Sequence, residues 1–251
     1  MLYLNSKDTI NALGRMITFE SQLDELFENF NLNLRENLGR RNMLLSQAQE
    51  AFFANVLEEK GYDVTCSGKT GEPDIVINSL DKELECKMTS AKKNSWPLQC
   101  DYATLQKKGS IDFLYVLCDE NFERFAVLLF ENLNVNDFYP PAPGSRQKSR
   151  MNKSNAMRKC TVLHGSVLDK RDGFIYRYAS DLNKLAHKRD ERMRSLQERL
   201  YRSSTPLKRE KVAGIIDREN KRFDKRETRV IEKINFWKSS SSHYEISLLE
   251  I

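Results

Sequence analysis

Long apolar runs, paired cysteines and clustered histidines are all missing from this chain of 251 residues. No stretch nears the roughly 18–20 uninterrupted apolar residues that a membrane helix needs, so no spanning helix is expected. The opening residues Met1 to Asp8 lack a basic segment followed by an apolar core, and a cytoplasmic rather than secreted protein is expected. Cys66, Cys86, Cys100, Cys118 and Cys160 are an odd, scattered set with no Cys-x-x-Cys pair. His164, His187 and His243 are dispersed as well. Disulfides and a structural zinc are therefore not expected, and the thiols should behave as small apolar groups.

Charge is present, and it is unevenly placed. The net charge is only +5, yet residues 138–159 hold six Lys or Arg and no acid. Residues 180–238 hold eighteen Lys or Arg against ten Asp or Glu. These two segments carry +6 and +8, so the remainder of the chain carries −9. A basic arm and a basic helical region on a mildly acidic body is the layout of a polyanion binder.

Periodicity orders the elements. Leu23, Phe27, Phe30 and Leu34 mark one or two helices over 7–38, interrupted at Gly39-Arg-Arg-Asn42. A firmer helix is predicted over 43–60, with Leu45, Ala48, Phe52, Val56 and Leu57 on one stripe and Gly61 as its stop. Strands are predicted near 62–67, 74–79 and 83–88, then a short helix ending at Gly109. Ile111 to Cys118 is nearly continuous in apolar residues, as in a central strand covered on both faces, and Phe125 to Phe130 is another strand. Together these imply a mixed α/β chain, a three-layer sandwich with helices on the faces of a mixed central sheet.

Tyr139-Pro-Pro-Ala-Pro-Gly144 breaks regular structure. The arm after it is rich in side chains that read base edges or hold phosphates. Its candidate DNA contacts are Arg146, Gln147, Lys148, Arg150, Asn152, Lys153, Asn155, Arg158 and Lys159. Strands near 160–164 and 174–178 should frame it. From Asp181 the pattern turns helical, with Leu182, Leu185, Met193, Leu196 and Leu200 on a first helix. Thr205 caps a second that opens on Pro206 and carries Ile216, Phe223, Val230 and Trp237 at sevenfold spacing. A coiled-coil-like hairpin follows from this, and Tyr244 to Leu249 reads as a last strand. The domain expectation is a core over 1–179 with its basic loop 139–159, a helical hairpin over 180–238, and 239–251 returning to the core.

The chemistry concentrates in Pro73-Asp74-Ile-Val-Ile77 and Leu84-Glu85-Cys86-Lys87, two short strands around a turn at Ser79-Leu80-Asp81. Alternation puts Glu85 and Lys87 on one face, with Leu84 and Cys86 on the other. A hairpin brings Asp74 beside them. Two carboxylates and an ammonium on rigid backbone suit a hard divalent cation and an activated water. Glu83 shares the face of Glu85 but lies nearer the turn, opposite about Ile77, and ranks below it.

Over residues 43 to 131 the chain resembles the PD-(D/E)xK nuclease superfamily, and within it the type II restriction endonucleases. The motif stands here as Pro73-Asp74 and Glu85-x-Lys87. The resemblance implies a restriction-endonuclease-like fold and a Mg²⁺ cofactor held by Asp74, Glu85 and the Cys86 carbonyl. It implies Asp74, Glu85 and Lys87 as catalytic residues, with Glu50 on the first core helix reaching the site. It also implies double-stranded DNA as substrate, a homodimer, and a DNA methyltransferase in the same system. A repair, junction-resolving or phage nuclease of the same fold, and a non-catalytic DNA-binding protein, are the other readings.

Overall fold

The computed structural model describes residues 2–67, 69, 72–90, 96, 98–142, 148–239 and 244–251. The chain divides into two compact units, Met1–Val167 with Glu245–Ile251, and Leu168–Tyr244.

The first unit opens with two long helices, α1 (Ser6–Asn29) and α2 (Leu38–Glu59). Asn5 starts α1 through a capping box: its side chain accepts from the Asp8 amide at 3.1 Å, and Asp8 accepts from the Asn5 amide at 2.9 Å. Asn37 starts α2 by accepting from the Arg40 amide at 3.1 Å. The expected break at Gly39-Arg-Arg-Asn42 is therefore the first turn of α2, not a gap between helices. Arg41 explains why that turn is fixed. It is fully buried, donates to the Asp119 and Glu120 carbonyls and to Ser90 Oγ, and lies 5.3 Å from the Phe122 ring centroid. Gly61, at φ +87°, ends the helix as expected.

The strands that follow are β1 (Val64–Cys66), β2 (Ile75–Ile77), β3 (Lys82–Ser90) and β4 (Gln99–Asp101). After the short helix α3 (Tyr102–Lys108) come β5 (Ile111–Cys118) and β6 (Arg124–Leu133). The basic arm contributes β7 (Lys148–Arg150) and the single-turn helix α4 (Lys153–Ala156), and β8 (Cys160–His164) and β9 (Ser166–Asp169) follow. The chain closes on β10 (Tyr244–Ser247) and β11 (Leu249–Glu250).

Seven strands form the central sheet in the order β1-β2-β3-β5-β6, with β11 and β8 both pairing β6. Only β3 and β5 run parallel; the other pairs are antiparallel. The architecture is mixed α/β with a mixed sheet flanked by helices. Helices α1 and α2 bury Leu13, Met16, Leu45, Phe53 and Leu57 against one face, which presents Ile75, Ile77, Leu84, Cys86, Leu114 and Val116. On the opposite face Tyr115 donates to the Gln99 carbonyl at 2.9 Å, and Phe113 packs on Phe138. Every residue of β5 is buried, which is why it reads as an unbroken apolar run. Lys82 ties three strands together, donating at 2.9 Å to Asp112 on β5 and at 3.0 Å to Glu131 on β6.

The second unit is an antiparallel pair of long helices, α5 (Lys170–Tyr201) and α6 (Pro206–Ser239). The strand expected at 174–178 is instead part of α5, which starts eleven residues before Asp181, capped by Asp169. Phe174 and Tyr178 sit one helical turn apart and continue into Leu182 and Leu185, so the apolar period is helical from the outset. Phe174 stacks on Trp237 of α6 with centroids 4.4 Å apart. The hairpin unit accordingly begins at Leu168 rather than 180. Val212 and Phe223 are buried between the helices. Arg189 supplies a polar layer in that seam, bonding Asn220 at 3.3 Å, Asp224 at 2.9 Å and Glu227 at 3.2 Å. Among the described residues no helix is long and apolar enough to cross a membrane.

Candidate active site

Strand β2 pairs β3 with Ile75 opposite Leu84, Val76 opposite Glu83 and Ile77 opposite Lys82. One step beyond the Ile75–Leu84 pair, the register brings Asp74 opposite Glu85. Glu83 is therefore opposite Val76, one residue from the expected register, and it is occupied by Lys108, whose ammonium lies 2.6 Å away. The turn between the strands is a single 3-10 turn over Asn78–Leu80, closed by Asp81 in the left-handed region at φ 50°. An aspartate tolerates that conformation better than most residues.

Where β2 stops, the side chain of Asp74 takes over its ladder. Asp74 Oδ2 accepts from the Cys86 amide at 2.7 Å. In an extended strand the N–H and C=O of one residue point to the same neighbouring side. The Cys86 carbonyl is thus directed toward the edge that Asp74 covers, while its thiol is buried in the core among Ile75, Ile77 and Leu84. Burial, with the charges of Asp74 and Glu50, pushes that thiol well above its ordinary pKa, so it stays protonated.

On the other face of β3, Lys87 Nζ lies 2.5 Å from Glu85 Oε1. Burial raises the Glu85 pKa, and the Asp74 charge adds to this against the pull of Lys87. For Lys87, burial works against the cation, but Glu85 and Asp74 outweigh it and its pKa ends raised. Lys87 is therefore a fixed positive charge and a hydrogen-bond donor at neutral pH. Glu50, on α2, feels the same charges. Burial first, then the charges of Asp74 and Glu85, push its pKa up to about 7, with Lys87 opposing. Asp74, Glu85, Lys87 and Glu50 thus feel one another's fields.

This donor set suits a hard cation. Asp74 Oδ1 and Glu85 Oε2 accept no hydrogen bond among the described residues, leaving one oxygen of each carboxylate without a partner there. Oxygen-only ligation by one or two carboxylates is the habit of Mg²⁺, which retains waters for its remaining positions. Among the described residues no three His, Cys, Asp or Glu side chains close into a cage. Glu50 consequently lies within electrostatic reach of the two carboxylates without completing a three-side-chain ligand set.

The basic arm is more ordered than a loop. Its β7 pairs β4, with Gln99 opposite Arg150 and Asp101 opposite Lys148. Ser149 turns inward and bonds the Tyr139 carbonyl, leaving Lys148 and Arg150 exposed on the other side. A pocket of about 360 Å³ opens beside Lys87, lined by Thr89, Gln99, Asp101, Tyr115 and Lys148 among others. Lys148 is thus brought to the same pocket as the candidate catalytic ammonium. Arg158 is exposed and Asn152 half-buried.

Two of the remaining arm residues already have partners within the chain. Lys159 is a structural clamp, donating to the Asn132 carbonyl and to Asp137, both at 2.8 Å. Asn155 is engaged with the Asn136 carbonyl at 3.0 Å. Lys153 is half-buried, and burial lowers its pKa. Arg146 and Gln147 lie outside the described residues. Gln99 and Asp101 were not expected in the site; the signal was the Trp96-Pro97 break just before a short extended segment and a helix cap. Asp101 caps α3 by accepting from the Thr104 amide at 3.0 Å. Comparisons with family models, with curated proteins and with solved structures find no match to this chain.

Proposed function

We propose that the chain is a Mg²⁺-dependent, site-specific endonuclease of double-stranded DNA, with the restriction-endonuclease-like fold of the PD-(D/E)xK superfamily and the activity of a type II restriction enzyme. The observation that carries this reading is the bond from the Cys86 amide to Asp74, which places one acid at the strand that presents Glu85 and Lys87. Asp74, Glu85 and the Cys86 carbonyl would hold the Mg²⁺. When bound, the ion supplies an acidified water and positive charge at the phosphate.

The chain's own residues do the rest. Lys87, kept cationic by Glu85 and Asp74, donates to the attacking water or a phosphate oxygen and offsets charge as the phosphorane forms. Glu50 acts from outside the two-carboxylate set as a proton-holding group close to neutrality. Lys148 and Arg150 project from a ribbon rather than a free loop, so their spacing along the DNA is fixed, with Arg158 and Asn152 as further contacts. A two-fold dimer suits a palindromic site. The same reading assigns a cytoplasmic setting and a partner methyltransferase.

The test is incubation of purified protein with phage-sized duplex DNA, with Mg²⁺ and with EDTA, followed by mapping of the ends. Discrete fragments with constant termini, formed only with Mg²⁺, are expected. A smear or cleavage at branched structures assigns the same core to repair or junction resolution. Binding without any cleavage overturns the enzyme reading.

A further inference from the structure

We infer that one flank of α6 is a sequence-independent binding surface for the phosphate backbone of duplex DNA. The inference rests on the nuclease reading for its choice of duplex DNA as the polyanion, and on the hairpin itself for the surface.

At about 100° per residue, Lys208, Lys211, Arg218, Lys225, Arg229 and Lys233 fall within roughly 50° of a common line along the helix. The nearest acids, Glu219 and Glu232, lie about 70° to either side of that line. Glu210, Asp217 and Asp224 stand on the far flank. All six cations are exposed. Among the described residues none of the six has a carboxylate within ion-pair distance; Arg222, on the same line, does pair with Glu219 at 3.8 Å, as Arg189, Arg192 and Lys221 elsewhere on the hairpin pair with acids. Lys233 lies 5.3 Å from the Tyr178 ring centroid, and Arg218 donates to the Gly214 carbonyl at 3.2 Å; neither contact neutralises a charge.

A coiled-coil surface that only needed solubility would mix signs and pair them within the helix. Here the seam takes one side of α6, acids take another, and a third carries positive charge alone. From Lys208 to Lys233 the stripe spans about 38 Å at 1.5 Å per residue. That is close to one turn of B-form DNA, about 34–36 Å. A straight, rigid row of cations of that length matches a duplex in charge and dimension. A stripe of exposed stems on a helix flank meets phosphates before base edges, so contact independent of sequence is expected.

The test uses the full chain in EDTA, so that binding is measured without cleavage. Two triple variants with the same charge loss are compared: Arg218→Gln with Lys225→Gln and Arg229→Gln, and Lys7→Gln with Arg40→Gln and Lys221→Gln. All six positions are exposed, and circular dichroism checks that both variants keep the parent helicity. Affinity for a random duplex of about 40 base pairs is titrated against salt, where each neutralised phosphate contributes roughly 0.9 to the log–log slope. The stripe variant should lose about tenfold or more in affinity and about three units of slope. The second variant should stay near the parent.

Equal losses in the two variants would reduce the effect to net charge and overturn the inference. So would an unchanged stripe variant, or a parent that binds anionic vesicles but not duplex. A parent whose duplex binding depends on the stripe, yet which never cuts with Mg²⁺, supports the inference while the nuclease reading falls.

Discussion

Asp74 and Lys87 do different work, and their substitutions should separate it. On the proposed function, Asp74→Ala removes both a metal-binding oxygen and the partner of the Cys86 amide, and Lys87→Ala removes the cation beside Glu85. Each should lower cleavage by about a thousandfold or more, on the scale of losing a transition-state charge. Filter binding to duplex DNA should largely survive in both, and near-parent cleavage in either would mean the site is misassigned. Lys87→Arg should fail as well, because a broad planar fork cannot replace a compact ammonium against Glu85. Glu50 makes a prediction of the opposite kind. Its folded pKa of about 7 exceeds the ordinary carboxyl value of 4.5. The folded chain therefore holds this proton more tightly than the unfolded chain. The resulting stabilisation is complete below about pH 4.5 and is lost as pH rises through about 7. In EDTA, Glu50→Gln should raise the melting temperature relative to the parent at pH 8, and the difference should vanish near pH 4.5. A variant that melts below the parent at pH 8 would contradict the crowding of acids at this site.

Among the elements, the connection between β8 and β9 tolerates least. Gly165 has φ +85°, and a Cβ there would lie 2.7 Å from Ala126 Cβ and 2.8 Å from the Ser247 carbonyl. Gly165→Ala should cost roughly 2–4 kcal/mol, combining a left-handed backbone with overpacking, and urea unfolding will show it. A loss under about 0.5 kcal/mol would mean the neighbouring strands yield freely. The elements also show what the sequence made readable. Strand β5 matches its expected bounds because burial on both faces leaves an unbroken apolar run, and the alternation at Glu85 and Lys87 came directly from the period of a strand. Helix α2 began five residues early because a buried arginine, Arg41, looks polar in the sequence but is paid for by main-chain carbonyls. The start of α5 was missed because Phe174, Ile175, Tyr176 and Tyr178 have strand-forming side chains, which masked the helical spacing of Phe174, Tyr178 and Leu182 that brings Phe174 onto Trp237. Lys159 looked like a phosphate ligand because nothing local reveals that Asp137 and the Asn132 carbonyl already hold it.

For the whole molecule, the legible part was the mixed sheet with its flanking helices, and the illegible part was long-range pairing, such as Lys148 arriving at the pocket beside Lys87 through the β4–β7 ribbon. The proposed function makes a prediction at this scale too. Sedimentation with DNA present should give a complex of two 29.3 kDa chains plus one duplex, and the two cuts should be symmetric about a palindrome. A monomer with asymmetric cuts would contradict it. The bond between Asp74 and the Cys86 amide has a last consequence, during folding. Shifting β3 by one residue against β2 would break that bond, swing Glu85 and Lys87 into the oily interior, and expose Leu84 and Cys86. A misaligned hairpin is thus both unstable and chemically silent. The contact that gathers these charged groups also fixes the strand's alignment, so under the proposed function a newly made chain could not cut DNA until the sheet is correctly zipped.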